Sequence, residues 1–173
     1  MKKRTENIIL NVIGIFLVAA PVMRLFFLQG YETFAQFFWL CNHIPILIGI
    51  AILLRSPFWL TAELSLLFAG MLLWVLDFIF YFSSGIVLFD SAVYIFSASG
   101  TMFFYLSAIT HLLTLPLAIL AVFLLRKPEP NAWKGSLLHA VILMPIIAYI
   151  GESYNINFLL KPGVSFIPDF ALY

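Results

Sequence analysis

Charged side chains are scarce in this chain. Lys, Arg, Asp and Glu make up 10% of the 173 residues, whereas hydrophobic residues make up 64%. Soluble domains carry about 25% charged and about 45–50% apolar residues. The shortage of charge excludes a water-soluble fold, and the net charge of +1 leaves no basic surface for nucleic acid.

Cysteine is also nearly absent. Cys41 is the one cysteine, and it lies inside an apolar run. A lone cysteine forms no intrachain disulfide and provides no cysteine-based metal framework. His43 is two residues away, a spacing at which side chains on a helix do not face each other, so the pair is a poor candidate for nucleophilic catalysis.

Long hydrophobic runs, in contrast, are abundant. A transmembrane helix needs about 20 apolar residues to cross about 30 Å of hydrocarbon. Five segments meet that requirement: residues 8–28, 34–54, 57–82, 101–125 and 133–150. Residues 86–99 are apolar but too short to span, and we expect an outer interfacial or re-entrant segment there. The sequence predicts an all-α, polytopic membrane helix bundle forming one domain, residues 1–173, with an outer tail over residues 151–173.

The basic residues are distributed unevenly over the two sides of the predicted bundle. One side carries seven of them: Lys2, Lys3, Arg4, Arg55, Arg126, Lys127 and Lys134. The other side has Lys161, with Arg24 near the end of the first span. Because cytoplasmic loops carry an excess of Lys and Arg, we predict a cell-membrane protein with a cytoplasmic N-terminus and an outer C-terminus. The lipid bilayer is then its main partner, and a homo-oligomer or a membrane-protein partner stays an open alternative.

Glycine and proline in the apolar runs suggest where the helices approach and where they loosen. Gly14, Gly49 and Gly70 are expected to permit close helix packing. Pro45 and Pro116 each release the carbonyl four residues earlier, close to a histidine in both cases. Such loosened backbone is tolerated in a membrane where it is buried in protein or lines a cavity.

Ionisable side chains inside a span are costly, and several fall in the predicted outer half of the bilayer. At a rise of about 1.5 Å per residue, His43 and His111 reach a similar depth, and Asp77 lies somewhat nearer the outer surface. Two imidazoles and a carboxylate suit zinc or iron. His43, Asp77 and His111 are therefore a candidate metal site, and Asp77, His111 and Glu152 are candidate catalytic residues.

Structural roles are the alternative for the ionisable side chains inside the spans. Asp77 can pair with Arg24, and Glu63 with His139, which lies at a similar inner depth. A lone membrane histidine commonly forms an interhelical hydrogen bond. Four further polar residues are candidates for substrate or structural contacts: Arg24, Asn42, Asn155 and Asn157.

Three motifs occur from Trp74 onward: Trp74-x-x-Asp77-Phe78, His111-x-x-x-x-Pro116-Leu117 and Asn155-Ile156-Asn157-Phe158. With these motifs, much of the chain over residues 39–161 resembles a family of uncharacterised small bacterial and archaeal membrane proteins. The family has tryptophan after Asn-Ile-Asn, where this chain has Phe158. The resemblance implies no activity, and it favours Asp77, His111, Asn155 and Asn157 as functional positions.

Two classes of function are compatible with these residues. The first is a metal-dependent intramembrane hydrolase of a lipid-like substrate, in which zinc or iron activates water. The alternative is a non-enzymatic role as a small transporter or channel subunit, or as a partner in a membrane complex. No internal repeat is visible in the sequence, so an inverted-repeat transporter is not supported.

Overall fold

The computed structural model describes residues 2–26, 35, 37–89, 91–96, 100–125 and 128–150. Within these residues every regular element is a helix, which confirms the all-α prediction. The helices are α1 (Lys2–Phe26), α2 (Leu40–Leu53), α3 (Pro57–Ser84), α4 (Val93–Phe96), α5 (Met102–Leu125) and α6 (Trp133–Ile150).

Four of these helices, α1, α3, α5 and α6, are long and apolar enough to cross a membrane. The helix α2 has 14 residues. At about 1.5 Å per residue its length is about 21 Å, shorter than a hydrocarbon core of about 30 Å. The predicted helix over residues 34–54 is therefore too long. The described α2 starts only at Leu40, because Trp39 has an extended backbone with φ −66° and ψ 130°.

The buried core lies among α1, α2, α3 and α5. It consists mainly of aliphatic side chains: Leu10, Ile13, Leu17, Ile44, Ile48, Ile52, Leu60, Leu67, Met71 and Leu115. Large apolar side chains also point outward, among them Val12 at 62%, Phe26 at 80% and Phe123 at 73% exposure. An apolar surface of this extent suits contact with lipid rather than with water.

The helix α6 lies at the edge of this bundle. It packs mainly against α3, and it buries only three of its residues: Gly135, Leu143 and Ile147. Gly135 lies against Phe58 near the start of α3. The first turns of α3 and α6 therefore meet at the same end of the bundle.

The turn between α2 and α3 is fixed by Arg55. Its φ of 56° is uncommon for a residue with a Cβ atom. The guanidinium group donates to the carbonyl oxygens of Ile52 at 2.6 Å and Asn7 at 3.2 Å, and to Asn11 Oδ1 at 2.8 Å. These bonds tie the end of α2 to the beginning of α1.

The described basic residues other than Arg24 are therefore gathered at one end of the bundle. We call this the basic end and define it by four of these residues: Lys3, Arg4, Arg55 and Lys134. The beginnings of α1, α3 and α6 and the ends of α2 and α5 meet there, since Lys3 and Arg55 line a common cavity with Leu124.

α1 and α2 approach most closely at two glycines. A Cβ atom at Gly49 would lie 2.7 Å from the carbonyl oxygen of Gly14, and one at Gly14 would lie 3.0 Å from the carbonyl oxygen of Gly49. The predicted packing role is thus confirmed for both positions. It is wrong for Gly70, where a Cβ atom would meet no other described residue within 4 Å.

Replacing Gly49 with alanine should lower the free energy of unfolding by about 1–3 kcal/mol, because the added methyl group meets backbone and the helices must move apart. Thermal unfolding of the purified protein in detergent measures this as a lower melting temperature. The matched control is Gly70→Ala, also mid-helix but facing open space, which should leave the melting temperature equal or higher because alanine favours helix. Equal effects of the two substitutions would contradict the packing role.

Candidate functional site

Three titratable side chains from three helices form one hydrogen-bonded series. Glu63 Oε2 on α3 lies 2.7 Å from His139 Nδ1 on α6. His139 Nε2 lies 3.1 Å from His43 Nε2 on α2. His43 Nδ1 in turn lies 3.0 Å from the carbonyl oxygens of Phe37 and Trp39. We call this series the Glu63–His139–His43 chain; its first link confirms the predicted pairing of Glu63 with His139.

The backbone carbonyls set the direction of these hydrogen bonds. A carbonyl oxygen only accepts, so His43 Nδ1 carries a hydrogen and donates it. Nε2 of a neutral His43 then presents a lone pair, which accepts from His139 Nε2–H. The 2.7 Å separation of His139 Nδ1 and Glu63 Oε2 accommodates one further proton. With that shared proton in place, Glu63 and His139 together carry no net charge.

An apolar cavity, lined by residues of α2, α3 and α6, reaches the Glu63–His139–His43 chain. Its volume is about 370 Å³, and Glu63 and His139 are the polar residues that line it. The remaining lining is apolar and includes Leu47, Trp59 and Ile142. The side chain of Glu63 is 5% exposed and that of His139 is 13% exposed. Glu63 and His139 therefore form the polar wall of an otherwise apolar space.

Asp77 is engaged by the segment that follows α3. Its Oδ1 accepts from the backbone N–H groups of Leu88 at 2.9 Å and Phe89 at 2.7 Å. Its Oδ2 accepts from the Ser91 N–H at 2.6 Å, from the Ser91 hydroxyl at 2.7 Å and from the Ala92 N–H at 3.3 Å. Both oxygens of this fully buried carboxylate thus hold the segment against α3.

His111 lies in a different environment, on α5. Its ring stacks on Trp74 with 4.2 Å between the ring centroids. Its Nδ1 lies 2.7 Å from the carbonyl oxygen of Ser107, and its Nε2 has no hydrogen-bond partner within the described part of the chain. The similar depth predicted for His111 and His43 does not bring them together, since His43 contacts His139 instead.

The other predicted polar residues have separate surroundings. Arg24 is 2% exposed, and its guanidinium carbon lies 5.2 Å from the centroid of the Phe103 ring. The Asp77–Arg24 pair is not among the contacts of the described residues. Asn42 is buried, and its Oδ1 accepts from Cys41 Sγ at 3.6 Å. Three predicted site residues lie outside the described residues: Glu152, Asn155 and Asn157.

The three predicted metal ligands therefore have different partners. Both ring nitrogens of His43 and both oxygens of Asp77 lie at hydrogen-bond distance from protein atoms. Across the described ranges, no group of three His, Cys, Asp or Glu side chains is placed to hold one ion. A zinc or iron site, and catalysis by Asp77, His111 and Glu152, stay predictions.

Sequence reasoning paired Glu63 with His139 but did not count them as site residues, and it did not connect them to His43. A signal was present. Each of the two lies six residues beyond the first residue of its helix, Pro57 for α3 and Trp133 for α6. Because those helices begin at the same end of the bundle, equal spacing brings the two side chains to one level.

Replacing Asp77 with asparagine should destabilise the segment over residues 85–92, because an amide nitrogen would face backbone N–H groups that now meet a carboxylate oxygen. Hydrogen bonds to a charged group contribute about 1.5–3 kcal/mol each, so we expect a loss of at least about 2 kcal/mol. Amide hydrogen exchange at Leu88, Phe89 and Ser91, measured by mass spectrometry in detergent, should become faster.

The graded control for this prediction is Ser91→Ala. It removes the hydroxyl donor but keeps the four backbone donors, so the loss should be about 1 kcal/mol. Unchanged exchange in the Asp77→Asn variant would contradict the anchoring role of the carboxylate.

Comparison of the chain with protein-family models, with curated proteins and with solved structures found no match.

Proposed function

We propose that this protein is a proton-coupled membrane transporter in which the Glu63–His139–His43 chain takes up and releases the coupling proton. The observation that supports this proposal is the 2.7 Å contact between Glu63 Oε2 and His139 Nδ1, which lies at the polar wall of an apolar cavity. It develops the transporter alternative suggested by the sequence.

The hydrogen bonding of the two histidines favours proton storage over attack on a substrate. Each of the four ring nitrogens lies at hydrogen-bond distance from a protein atom, so none is directed at a bound molecule. A nucleophile or general base would need a nitrogen within reach of the reacting group. Glu63 lines the cavity, and its second carboxyl oxygen is the atom through which a proton is exchanged with it.

The cavity indicates the class of substrate. Loss of the shared proton leaves one negative charge on Glu63 and His139 in apolar surroundings, where an uncompensated charge is costly. A cation entering the cavity compensates that charge, and the apolar lining at Leu47, Trp59 and Ile142 favours a cation with an apolar body. The proposed activity is therefore exchange of protons for a lipophilic organic cation across a cell membrane.

The basic end supports the direction of this exchange. Lys and Arg are enriched on the cytoplasmic side of membrane proteins, so the basic end is assigned to the cytoplasm. The apolar cavity is lined by Leu54 and Trp59, which flank the α2–α3 turn at that end. The cation is then taken from the cytoplasmic half of the bilayer and leaves on the outer side.

Reconstituted liposomes test the proposal with tetraphenylphosphonium as the lipophilic cation and a pH-sensitive dye trapped inside. An imposed pH gradient should drive uptake of the cation and release of protons by the native protein. Glu63→Gln should reduce uptake to the level of empty liposomes, because an amide cannot exchange a proton at neutral pH. The matched control is Glu129→Gln in the α5–α6 turn, which should transport like the native protein.

Thermal unfolding in detergent accompanies this experiment, so that loss of fold is distinguished from loss of transport. A folded Glu63→Gln variant that transports like the native protein would contradict the proposal. Native protein that moves the cation no faster than empty liposomes would contradict it as well.

A further inference from the structure

A second polar cluster contains buried atoms without hydrogen-bond partners. Within the described residues, four buried side-chain nitrogen or oxygen atoms lack one: Arg24 Nη1, Trp74 Nε1, Ser107 Oγ and His111 Nε2. All four residues are at most 4% exposed. An unsatisfied polar atom in an apolar interior loses its hydration without compensation, so each is unfavourable as it stands.

These four atoms belong to one region of the bundle. The rings of Trp74 and His111 are stacked, and His111 Nδ1 lies 2.7 Å from the carbonyl oxygen of Ser107. Arg24 lies over the ring of Phe103, with 5.2 Å between its guanidinium carbon and the ring centroid. Phe103, Ser107 and His111 recur at four-residue spacing on one face of α5. Arg24 on α1 and Trp74 on α3 therefore face the same stretch of α5.

Within the described residues, no carboxylate compensates the positive charge of Arg24 in this cluster. The two buried carboxylates of the described residues are engaged elsewhere, Glu63 with His139 and Asp77 with the segment after α3. Within the described part of the chain, Arg24 has no carboxylate at ion-pair distance. A buried cation without a counter-charge costs several kcal/mol, so the cluster is suited to an anion.

The hydrogen-bonding capacity of the cluster narrows the kind of anion. Arg24, Trp74 and Ser107 offer N–H and O–H donors. Because His111 Nδ1 donates to the Ser107 carbonyl oxygen, Nε2 of a neutral ring presents a lone pair and accepts a hydrogen. A ligand that satisfies all four atoms has anionic oxygens and also a hydroxyl group.

We propose that Arg24, Trp74, Ser107 and His111 form a binding site for a hydroxyl-bearing oxyanion, namely hydrogen phosphate or the phosphate monoester of a lipid headgroup. The anionic oxygens accept from Arg24, Trp74 and Ser107, and the P–OH group donates to His111 Nε2. This site is separate from the Glu63–His139–His43 chain and does not depend on the proposed transport of cations.

Isothermal titration calorimetry of the full-length protein in detergent tests the site with inorganic phosphate, with dihexanoyl phosphatidic acid and with dihexanoyl phosphatidylcholine, which lacks a P–OH group. We expect saturable binding of one or both of the first two probes and none of the third. Binding of phosphate identifies a free anion as a ligand, and binding of phosphatidic acid alone identifies a headgroup. Binding of neither overturns the proposal.

Two substitutions locate the binding. Arg24→Gln should weaken the affinity about tenfold or more, because it removes the counter-charge. Its control is Arg55→Gln at the opposite end of the bundle, which should bind like the native protein. Ser107→Ala should weaken binding about fivefold, because it removes one hydrogen-bond donor. If Arg24→Gln does not fold, Ser107→Ala tests the proposal in its place.

Retained affinity in a folded Arg24→Gln or Ser107→Ala variant overturns the proposal. The proposal is also overturned where phosphate binds only after Glu152→Gln, since a carboxylate of the protein itself would then be the occupant of the site.

Discussion

A polar atom inside an apolar helix bundle has no water to bond with, and its partner must come from the chain or from a ligand. The described structure follows this constraint at several places. Asp77 gathers five donors from one short segment, and Arg55 closes a turn by donating to two helices. The Glu63–His139–His43 chain meets the constraint across three helices. The constraint is unmet, within the described residues, at the four unpartnered atoms of Arg24, Trp74, Ser107 and His111.

Much of the fold follows from hydrophobic length alone. The last three predicted helices begin and end within two residues of α3, α5 and α6. The start of α2 does not follow from hydropathy, since five of the six residues before Leu40 are hydrophobic. What distinguishes them is the extended backbone of Trp39 and the bonds that its carbonyl and that of Phe37 accept from His43. Such a local bond is not visible in an average over about 20 residues.

The site was predictable to a lesser extent. A count of residues along α3 and α6 places Glu63 opposite His139, because both helices begin at the basic end. The same count places His43 beside His111 only if the helix spans the whole bilayer, and the 14 residues of the described α2 are too few for that. The role of Asp77 was inaccessible for another reason. Four of its five donors are backbone N–H groups, and these have no sequence signature.

The peripheral position of α6 has a mechanical consequence. His139 is the one residue that joins Glu63 to His43 in the chain, and it is carried by the helix with the fewest buried residues of the four long ones. A hydrogen bond of about 3 Å is lost once its atoms separate by about half an ångström more. A small outward tilt of α6 would therefore break both links at once and separate His139 from Glu63 and from His43. The long helix that buries the fewest residues thus carries the side chain on which the whole series depends.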